Sequence, residues 1–435
     1  MEEVRKCVRK QSKERRQIVS QLMEKILCPD NMMLAYKKVK ANKGASGIDG
    51  IEVDEVKDYL KENWQGIKER IQKRKYKPQP VLRVEIPKAS GGVRKLGIPS
   101  VVDRIIEQAV VQVITPIVEP HFSEHSYGFR PQRRAQQAVL KLLEYFDDGY
   151  TYIVDIDLEK FFDNVPQDKL MTLVGKIIQD PDTESLISKY LKAGVMVKGK
   201  YEKTEVGTPQ GGNLSPILSN IMLNELDKEL EARGLHFVRY ADDCVIAVRS
   251  SAAANRVMNT VTKWIEKTLK LKVNMTKTKV TKPSRLKCLG FGFVKMGDNW
   301  EARPHKDSLM SFKRKLKQLT KRSWSVDMDT RIRRLNWVIR GWINYYRIGK
   351  MKKNLMIIDG HLRTRMRIVI WKQWKKSQKR YWGLRKLGAP EWMAKQSVGF
   401  GDHYQAVAKT TGLRLINKQI LARRGLVSCV DYYLN

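Results

Sequence analysis

The 435-residue sequence predicts a sheet domain of the α/β or α+β class, followed by a helical region. Helical and strand-like patterns alternate up to about residue 300, which is typical of a mixed sheet domain. After about residue 303 the strand patterns fade, and apolar residues recur at steps of three and four, as on an amphipathic helix. The length favours two or three domains, and a hydrophobic content of 42% is enough to build their cores.

The individual elements follow from local patterns along the chain. Apolar residues at helical spacing predict a helix within 20–40, and prolines with a Gly-Gly pair punctuate a predicted β-hairpin over Val81–Pro99. The remaining predicted elements, in chain order, are helices at 101–118 and 133–147, a strand from 151, a helix at 167–177, a Gly/Pro-rich loop at 207–212, a helix at 215–232, a hairpin at 237–248, a helix at 252–270, and strands at 272–280 and 286–294.

The hairpin predicted at Phe237–Val248 carries two adjacent aspartates at its tip. Asp242 and Asp243 interrupt two apolar, β-rich runs. Adjacent carboxylates repel each other, so a rigid fold that holds them together usually supplies a cation. A solvated Asp-Asp turn is the alternative, since aspartate is common in turns for local hydrogen-bonding reasons.

A second acidic segment, Tyr152–Val165, begins as a strand and continues toward a helix. Asp155 and Asp157 are two residues apart, so on a strand both point to the same face. A buried strand carries two acids on one face only when they are paired or bound to a metal. Together, the two segments offer the carboxylate oxygens that Mg²⁺ prefers. Two such ions at roughly 3.5–4 Å would support an in-line displacement at phosphorus.

The charge of the chain predicts a nucleic-acid partner. Lys and Arg number 84 against 46 Asp and Glu, giving a formal charge of +38. Residues 301–390 alone hold 26 basic and five acidic residues together with six of the ten tryptophans. Basic residues interleaved with aromatics suit phosphate neutralisation and base stacking, although several tryptophans belong in a helical core. Within this region, Arg333, Arg340 and Arg347 repeat every seven residues and form one predicted stripe, called here the arginine stripe.

The cysteine pattern and the absence of long apolar runs indicate the cellular compartment. The five cysteines are scattered without a C-x-x-C pair, which predicts neither a zinc site nor a disulfide framework and favours a reducing compartment. A metal-finger nuclease domain would need clustered cysteine or histidine ligands, so the scattered cysteines predict that the chain has no such domain. No run of 18 apolar residues occurs, so we expect no signal peptide, no transmembrane segment, no membrane partner and a cytoplasmic location in a bacterium.

Several short motifs in fixed order resemble one family. Phe-Val-Arg-Tyr-Ala-Asp-Asp at 237–243 resembles the Y-x-D-D signature of reverse transcriptases, and Asp157–Asp163 resembles their first palm motif. From about residue 20 onward the chain is similar to group II intron-encoded reverse transcriptases, also called maturases. Its further marks are Gly44–Gly50, Arg83–Lys88, Lys95–Pro99, His125–Pro131, Gly207–Gly212 and Leu286–Gly292.

This resemblance implies an α+β, right-hand polymerase architecture with a fingers and palm sheet domain, an all-α thumb (domain X) and a small C-terminal DNA-binding region. The expected boundaries are a basic N-terminal extension at 1–19, fingers with an N-terminal helical segment at 20–150, palm at 151–300, thumb at 301–390 and the DNA-binding region at 391–435.

The resemblance also assigns roles to individual residues. It implies two Mg²⁺ ions, with Mn²⁺ as the alternative, held by Asp157, Asp242 and Asp243, and leaves Asp155 with at most a supporting role. Lys277 takes the position that protonates leaving pyrophosphate, with Lys279 as the neighbouring alternative. Phe162 takes the position of the aromatic that blocks a ribose 2′-hydroxyl, unless it is a core residue. The residues implied to contact the incoming nucleotide, besides Phe162, are Lys88, Arg94 and Gln210.

Nucleic-acid contacts are expected at the arginine stripe, at Arg363 and Arg367 on the next predicted helix, and at Arg130, for which a salt bridge is an equal alternative. The implied function is an RNA-directed DNA polymerase that also binds group II intron RNA and assists splicing and mobility. Its implied partners are this intron RNA, an RNA template–DNA primer duplex, target DNA and dNTPs. The alternatives are a splicing maturase without polymerisation, a retron or diversity-generating reverse transcriptase, and a two-metal nuclease.

Overall fold

The computed structural model describes residues 21–87, 92–208 and 211–435. They form two compact units. The N-terminal unit comprises the residues through Tyr145 together with Gly149–Thr281, and the C-terminal unit comprises Phe146–Asp148 with Lys282–Asn435. Among the described residues, no helix is both long enough and apolar enough to cross a bilayer. The predicted basic extension at 1–19 lies outside the described residues.

The N-terminal unit mixes helices and short strands, as the alternating sequence pattern predicts. Residues 21–26 are helical. The labelled elements are α1 (Pro29–Ala41), α2 (Val56–Gln72), β1 (Val81–Pro87), β2 (Val93–Ile98), α3 (Val101–Val118), α4 (Ala135–Asp147), β3 (Tyr152–Ile156), α5 (Phe161–Asn164), α6 (Gln167–Ile178), α7 (Pro181–Leu191), β4 (Val195–Val197), β5 (Lys200–Glu202), α8 (Ser215–Ala232), β6 (His236–Tyr240), β7 (Asp243–Val248), α9 (Ser251–Trp264) and β8 (Lys279–Thr281).

Two four-stranded sheets organise this unit. One has the strand order β6-β7-β3-β8, and all of its pairs are antiparallel. The other has the order β2-β1-β4-β5, in which β1 and β4 run parallel. The central strand β3 carries Asp155 toward its end and stops immediately before Asp157. The topology thus places the first acidic motif directly beside the Asp-Asp hairpin.

One hydrophobic core holds the helices against the palm-like sheet β6-β7-β3-β8. Helix α3 contributes residues from almost every turn, because its sequence is apolar nearly all round. Helix α8 likewise buries most of its length, including polar residues that bond to neighbouring loops. On the sheet, Val154 and Ile246 are fully buried on strands that pair in register. This rigid base supports the acidic residues at the strand ends.

Two predicted strands differ from the structure. The predicted strand at 272–280 is wrong over most of its length, since only Lys279–Thr281 is strand. The cause is Asn274, whose side chain accepts hydrogen bonds from the backbone N–H and the hydroxyl of Thr276, at 3.2 and 2.7 Å. Such an Asx turn offers the backbone an alternative to a sheet ladder. The strand predicted at 286–294 begins later, at Phe291.

The C-terminal unit is helical after one hairpin. Strands β9 (Phe291–Met296) and β10 (Asn299–Pro304) pair antiparallel. The helices are α10 (Lys306–Leu319), α11 (Met328–Tyr346), α12 (Lys352–Gln373), α13 (Ser377–Lys386), α14 (Glu391–Val398), α15 (Tyr404–Lys409), α16 (Thr411–Leu415), α17 (Lys418–Arg423) and α18 (Cys429–Leu434).

Helix α11 has the amphipathic character that its sequence predicts. Ile332, Leu335 and Ile339 are buried, and the Trp342 ring stacks on Phe312 with centroids 4.3 Å apart. Asp327 caps the helix, because its Oδ1 accepts the N–H of Thr330 at 2.7 Å. The opposite face of α11 is left for basic side chains.

Candidate active site

The acidic residues of the two motifs lie side by side at one end of the β6-β7-β3-β8 sheet. Antiparallel pairing of β3 with β7 places Ile156 opposite Cys244. Asp157 and Asp243 come one residue beyond that pair, where opposed Cα atoms of an antiparallel ladder are about 5 Å apart. Asp242 precedes Asp243 in the β6–β7 turn. The fold therefore brings the predicted three carboxylates together.

These carboxylates are held close despite their mutual repulsion. Loss of hydration, followed by the charges of its acidic neighbours, raises the pKa of Asp243 to about 6. Desolvation and the charge of Asp157 also raise the pKa of Asp242. The Asp243 residue as a whole remains exposed, so water screens part of this repulsion. Concentrated negative charge of this kind is stabilised by a divalent cation.

A buried ion pair lies beneath the Asp242–Asp243 turn. The side chains of Arg239 and Asp227 are fully buried, and two hydrogen bonds of 2.6 and 2.5 Å join them. Arg239 Nη1 also donates to the carbonyl oxygen of Ala241 at 2.9 Å, immediately before the acidic pair. Ala241 has a left-handed φ of 57°, which is uncommon for a residue with a side chain. The guanidinium of Arg239 thus fixes the conformation from which both aspartates project.

Gly128 packs against the same turn from the neighbouring loop. A Cβ atom at this position would lie 2.2 Å from the backbone nitrogen of Ala241. The loop is fixed on both sides, because Tyr127 donates its N–H to the carbonyl of Arg239 at 2.8 Å and Asn220 donates to the carbonyl of Gly128 at 2.8 Å. Only glycine permits this close backbone approach.

Lys277 lies beside Asp157 because of the turn that Asn274 forms. The Lys277 ammonium is 3.6 Å from Asp157 Oδ2, although 65% of its side chain is exposed. The hydroxyl of Thr278 accepts the backbone N–H of Asp157 at 3.1 Å and links the two segments. Lys279 instead pairs in register with Asp155 on β3. The geometry thus favours Lys277 over Lys279 for the predicted role beside the reacting phosphates.

A cavity of about 540 Å³ opens next to Asp242. Its walls include Arg94 and Phe162, two residues predicted to contact the nucleotide. Phe161 is buried, 2% exposed, and packs into the core, whereas Phe162 is half-buried and reaches the cavity. The adjacent phenylalanines therefore divide the two predicted roles, with Phe161 in the core and Phe162 at the cavity wall.

Gly207 and Thr208 of the Gly/Pro-rich motif contact the backbone of Phe162. The N–H of Thr208 donates to the Phe162 carbonyl at 2.7 Å, and a Cβ on Gly207 would lie 2.8 Å from that same oxygen. Gly207 also has a φ of +90°, which favours glycine. Lys88 and Gln210, the other two predicted nucleotide contacts, lie outside the described residues, and their roles stay predictions.

The donor set fits a divalent cation that also binds the substrate. Asp157, Asp242 and Asp243 offer only carboxylate oxygens, the ligands that Mg²⁺ prefers. Within residues 21–87, 92–208 and 211–435, no three His, Cys, Asp or Glu side chains are arranged so that they could hold an ion by themselves. This is compatible with Mg²⁺, which usually takes one or two carboxylates plus phosphate oxygens and water.

Two of the predicted nucleic-acid contacts are buried in the protein. Arg130 forms an ion pair with Glu119 at 2.8 Å and donates to the carbonyl of Ser126 at 2.9 Å, so the structure favours its salt-bridge alternative. Arg367 is 5% exposed and donates to the carbonyl of Ile416 at 2.9 Å. As placed, neither guanidinium faces solvent, and the prediction of phosphate contacts for these two is therefore corrected.

The arginine stripe is exposed along α11 and at the residue that follows this helix, as its spacing predicts. Arg340 and Arg347 lie over the ring of Tyr432, 5.9 and 5.5 Å from its centroid. Arg347 also donates to the Tyr432 carbonyl at 2.7 Å. Arg333 remains open to solvent apart from a hydrogen bond of 3.1 Å to Thr330, and Arg363 on α12 is half-buried. Part of the stripe thus also holds helix α18.

Sequence reasoning missed the residues that position the site. Arg239 and Gly128 lie inside the quoted motifs, but no local pattern shows that their partners are Asp227 and Ala241. Glu107 was also missed. It is buried in α3, desolvation raises its pKa to about 8, and it accepts the N–H of Asn213 at 2.6 Å beside the cavity. A carboxylate in the middle of a largely apolar helix was the one available signal.

Comparison with known proteins adds two family matches. Residues 86–293 match the family described as "Reverse transcriptase (RNA-dependent DNA polymerase)". Residues 309–388 match the family described as "Group II intron, maturase-specific domain". The first match contains both acidic motifs and the cavity residues, and the second contains α11, α12 and α13. Fold and site together define a reverse transcriptase domain followed by a maturase-specific domain.

Two curated relatives agree with this assignment. "Protein YkfC" of Escherichia coli (strain K12) is 32% identical over 302 residues, covering 60% of this chain and 79% of that protein. "Group II intron-encoded protein LtrA" of Lactococcus lactis subsp. cremoris is 40% identical over 213 residues, covering 49% of this chain but only 35% of that protein. A chain in the solved "Partial Cas6-RT-Cas1--Cas2 complex" is 25% identical, with a TM-score of 0.37, covering 57% of this chain and 43% of that one. The chain belongs to the group II intron-encoded reverse transcriptases, or maturases.

Proposed function

We propose that the chain copies RNA into DNA at the Asp157–Asp242–Asp243 site and that it also binds group II intron RNA to assist splicing and mobility. The observation that carries the polymerase part is the convergence of three carboxylates beside a cavity that Arg94 and Phe162 line. A protein that only bound RNA would have no use for carboxylates held against their own repulsion.

In the proposed reaction the primer 3′-hydroxyl loses its proton to solvent water, its oxygen bonds to the α-phosphorus of a dNTP, and the bond from that phosphorus to pyrophosphate breaks. Two Mg²⁺ ions, or Mn²⁺, would stabilise the attacking and leaving oxygens when bound by Asp157, Asp242 and Asp243. Lys277, whose ammonium is 3.6 Å from Asp157, would give a proton to the departing pyrophosphate. Arg94 supplies positive charge to the triphosphate at the cavity.

Phe162 would set the preference for deoxyribonucleotides. Its half-buried ring reaches the same cavity as Asp242, and its backbone is held by Thr208. A ribose 2′-hydroxyl against an apolar ring loses its hydrogen bonds to water without gaining a partner. The aromatic wall therefore disfavours ribonucleotides without contacting a deoxyribose unfavourably.

The C-terminal unit would supply most of the nucleic-acid affinity. Residues 301–390 have a net charge of +21, and the exposed arginine stripe lies within the maturase-specific match. Its proposed partners are intron RNA, the template–primer duplex and, for the region at 391–435, target DNA. We also propose that this activity takes place in the cytoplasm of a bacterium. The maturase-specific match argues against a retron or diversity-generating type.

Primer extension tests the polymerase part. A labelled DNA primer annealed to an RNA template is incubated with dNTPs and Mg²⁺, Mn²⁺ or EDTA, beside binding of a structured group II intron RNA. We expect extension on RNA that EDTA abolishes. Binding of the intron RNA without extension in either metal would instead favour a maturase that does not polymerise.

A further inference from the structure

The C-terminal unit contains a basic cleft that is separate from the residues assigned above. Its volume is about 1010 Å³, and it lies between the loop that follows α10, the C-terminal half of α12 and the start of α15. Its basic side chains are Lys321, Arg322, Arg365 and Lys372. We call these four residues, with Tyr404, the basic cleft.

The loop that carries Lys321 and Arg322 is held rigidly. Arg331 is 1% exposed and donates to the carbonyls of Leu319 and Trp324 at 2.6 and 2.5 Å. From α12, Arg365 donates to Thr320 Oγ1 at 2.6 Å and to the carbonyl of Lys317 at 3.1 Å. Two guanidinium groups therefore fix this loop through carbonyl and hydroxyl oxygens, and their positive charges are not neutralised by these contacts.

Few negative charges oppose the cations of the basic cleft. Asp402 is the one carboxylate among the described lining residues, and it forms an ion pair with Arg380, which is not part of the lining, at 3.0 Å. In the part of the chain that the structure describes, none of the four basic cleft cations lies within ion-pair distance of a carboxylate, although the charge of Asp402 also acts on Lys372. Burial, and then the charge of Arg322, lower the pKa of Arg365. An excess of fixed positive charge favours an anionic ligand.

Tyr404 orients the cations toward the open space. The Arg322 guanidinium carbon is 4.5 Å from the centroid of the Tyr404 ring, and the Lys372 ammonium is 5.7 Å from it. Cation–π contacts at these distances favour one arrangement of otherwise flexible side chains. Tyr404 itself is only 9% exposed, so its ring is a support and not a platform on which a base stacks.

We propose that the basic cleft binds the phosphodiester backbone of one single strand of nucleic acid. Preorganised guanidinium and ammonium groups recognise phosphate oxygens through charge-assisted hydrogen bonds. The volume is that of a small-molecule pocket, so it accommodates a few nucleotides of one strand and not the width of a duplex. The inference rests on the proposed function only in taking nucleic acid as the partner, since the cleft needs no polymerase chemistry.

Matched charge substitutions in the full chain test this site. The double variant Lys321→Gln/Arg322→Gln removes two charges from the cleft. The control, Lys352→Gln/Lys353→Gln, removes two exposed charges at the start of α12, about 20 Å along the helix from Arg365. The probes are an unstructured 20-nucleotide RNA and the DNA of the same sequence, with affinity measured across a salt series. Lys372→Gln tests the same site from α12 if the loop substitutions disturb folding.

The cleft variant should bind the probe more weakly than the control and lower the magnitude of the log K versus log salt slope by about 1.4, for two phosphate contacts on a single strand. A larger loss on RNA would identify RNA as the ligand, and an equal loss on DNA would identify the shared backbone. Equal behaviour of the cleft and control variants would overturn the proposal. Extension of a preannealed primer, measured in parallel, reports separately on the proposed polymerase.

Discussion

Replacing Gly128 by alanine should strongly reduce the rate of DNA synthesis without unfolding the protein. The new Cβ would lie 2.2 Å from the backbone nitrogen of Ala241, and ordinary contact begins at 3.4 Å. The turn or the facing loop must therefore move by more than 1 Å. Overpacking of this kind costs about 1–3 kcal/mol of folding stability.

The effect on chemistry should be much larger than the effect on stability. Asp242 and Asp243 follow Ala241 directly in the chain. Because Arg239 donates a hydrogen bond to the Ala241 carbonyl and holds the turn, a displacement of Ala241 also moves the acidic pair. A misplacement of about 1 Å in a catalytic constellation costs on the order of 100-fold in rate. We expect a drop of about this size in the single-turnover rate of adding one dNTP to a primer on RNA.

The control for this variant is Gly66→Ala in α2. A Cβ at Gly66 meets nothing within 4 Å, so the substitution should leave synthesis unchanged and slightly favour the helix. Both variants are compared with the original chain by thermal melting, RNA binding and single-turnover extension. A Gly128→Ala variant that extends primers at the original rate would refute the claim that Gly128 positions the turn.

Three further predictions follow from the same structure. Phe162→Val should raise ribonucleotide relative to deoxyribonucleotide incorporation by about tenfold or more, measured as the ratio of kcat/KM values, and an unchanged ratio would return Phe162 to a packing role. Neutralising the arginine stripe to glutamine should lower the magnitude of the salt slope for RNA binding by about 2, whereas an unchanged slope would make it a solvated helix face. Asp243→Asn should raise the Tm in EDTA by roughly 2 °C at pH 8 and by nothing at pH 4. The Asp243 carboxyl has a pKa of about 6 in the folded protein, against 3.8 for the ordinary group. The free energy of unfolding therefore falls as pH rises between these two values, because only the folded state still holds the proton there. Solvent screening limits the destabilisation by the charged Asp243 to about 1 kcal/mol. Saturating Mg²⁺ should remove the difference in Tm between the variant and the original chain. An equal Tm in EDTA at pH 8 would contradict the proposed repulsion among the carboxylates.

Local sequence patterns predicted the elements that carry the site. The boundaries of α3 and α8 match the predicted helices, because apolar spacing and the residues that start each helix agree there. The acidic hairpin was also predicted, since both of its strands are β-rich and the break between them is polar. The strand predicted at 272–280 was wrong over most of its length, because one Asx turn at Asn274 outweighed the β-rich pattern.

The fate of individual charged residues was harder to predict than the elements. Arg239, Arg130 and Arg367 look like ordinary basic residues in the sequence, yet each is buried by partners far along the chain or on another element. Periodicity shows which face of a helix is apolar, but it does not show whether a neighbouring loop covers a cation. For this reason the spacing correctly predicted that the arginine stripe is exposed, and wrongly predicted that Arg367 is exposed.

The most direct test of the proposed active site is extension of a DNA primer on an RNA template by Asp157→Asn and Asp242→Asn variants. Asp168→Asn serves as control, because Asp168 is an exposed acid in the first turn of α6. We expect both site variants to lose extension by several orders of magnitude while keeping nearly the original affinity for RNA, and we expect the control to extend normally. Extension at the original rate by either site variant would contradict the assignment of these carboxylates to catalysis.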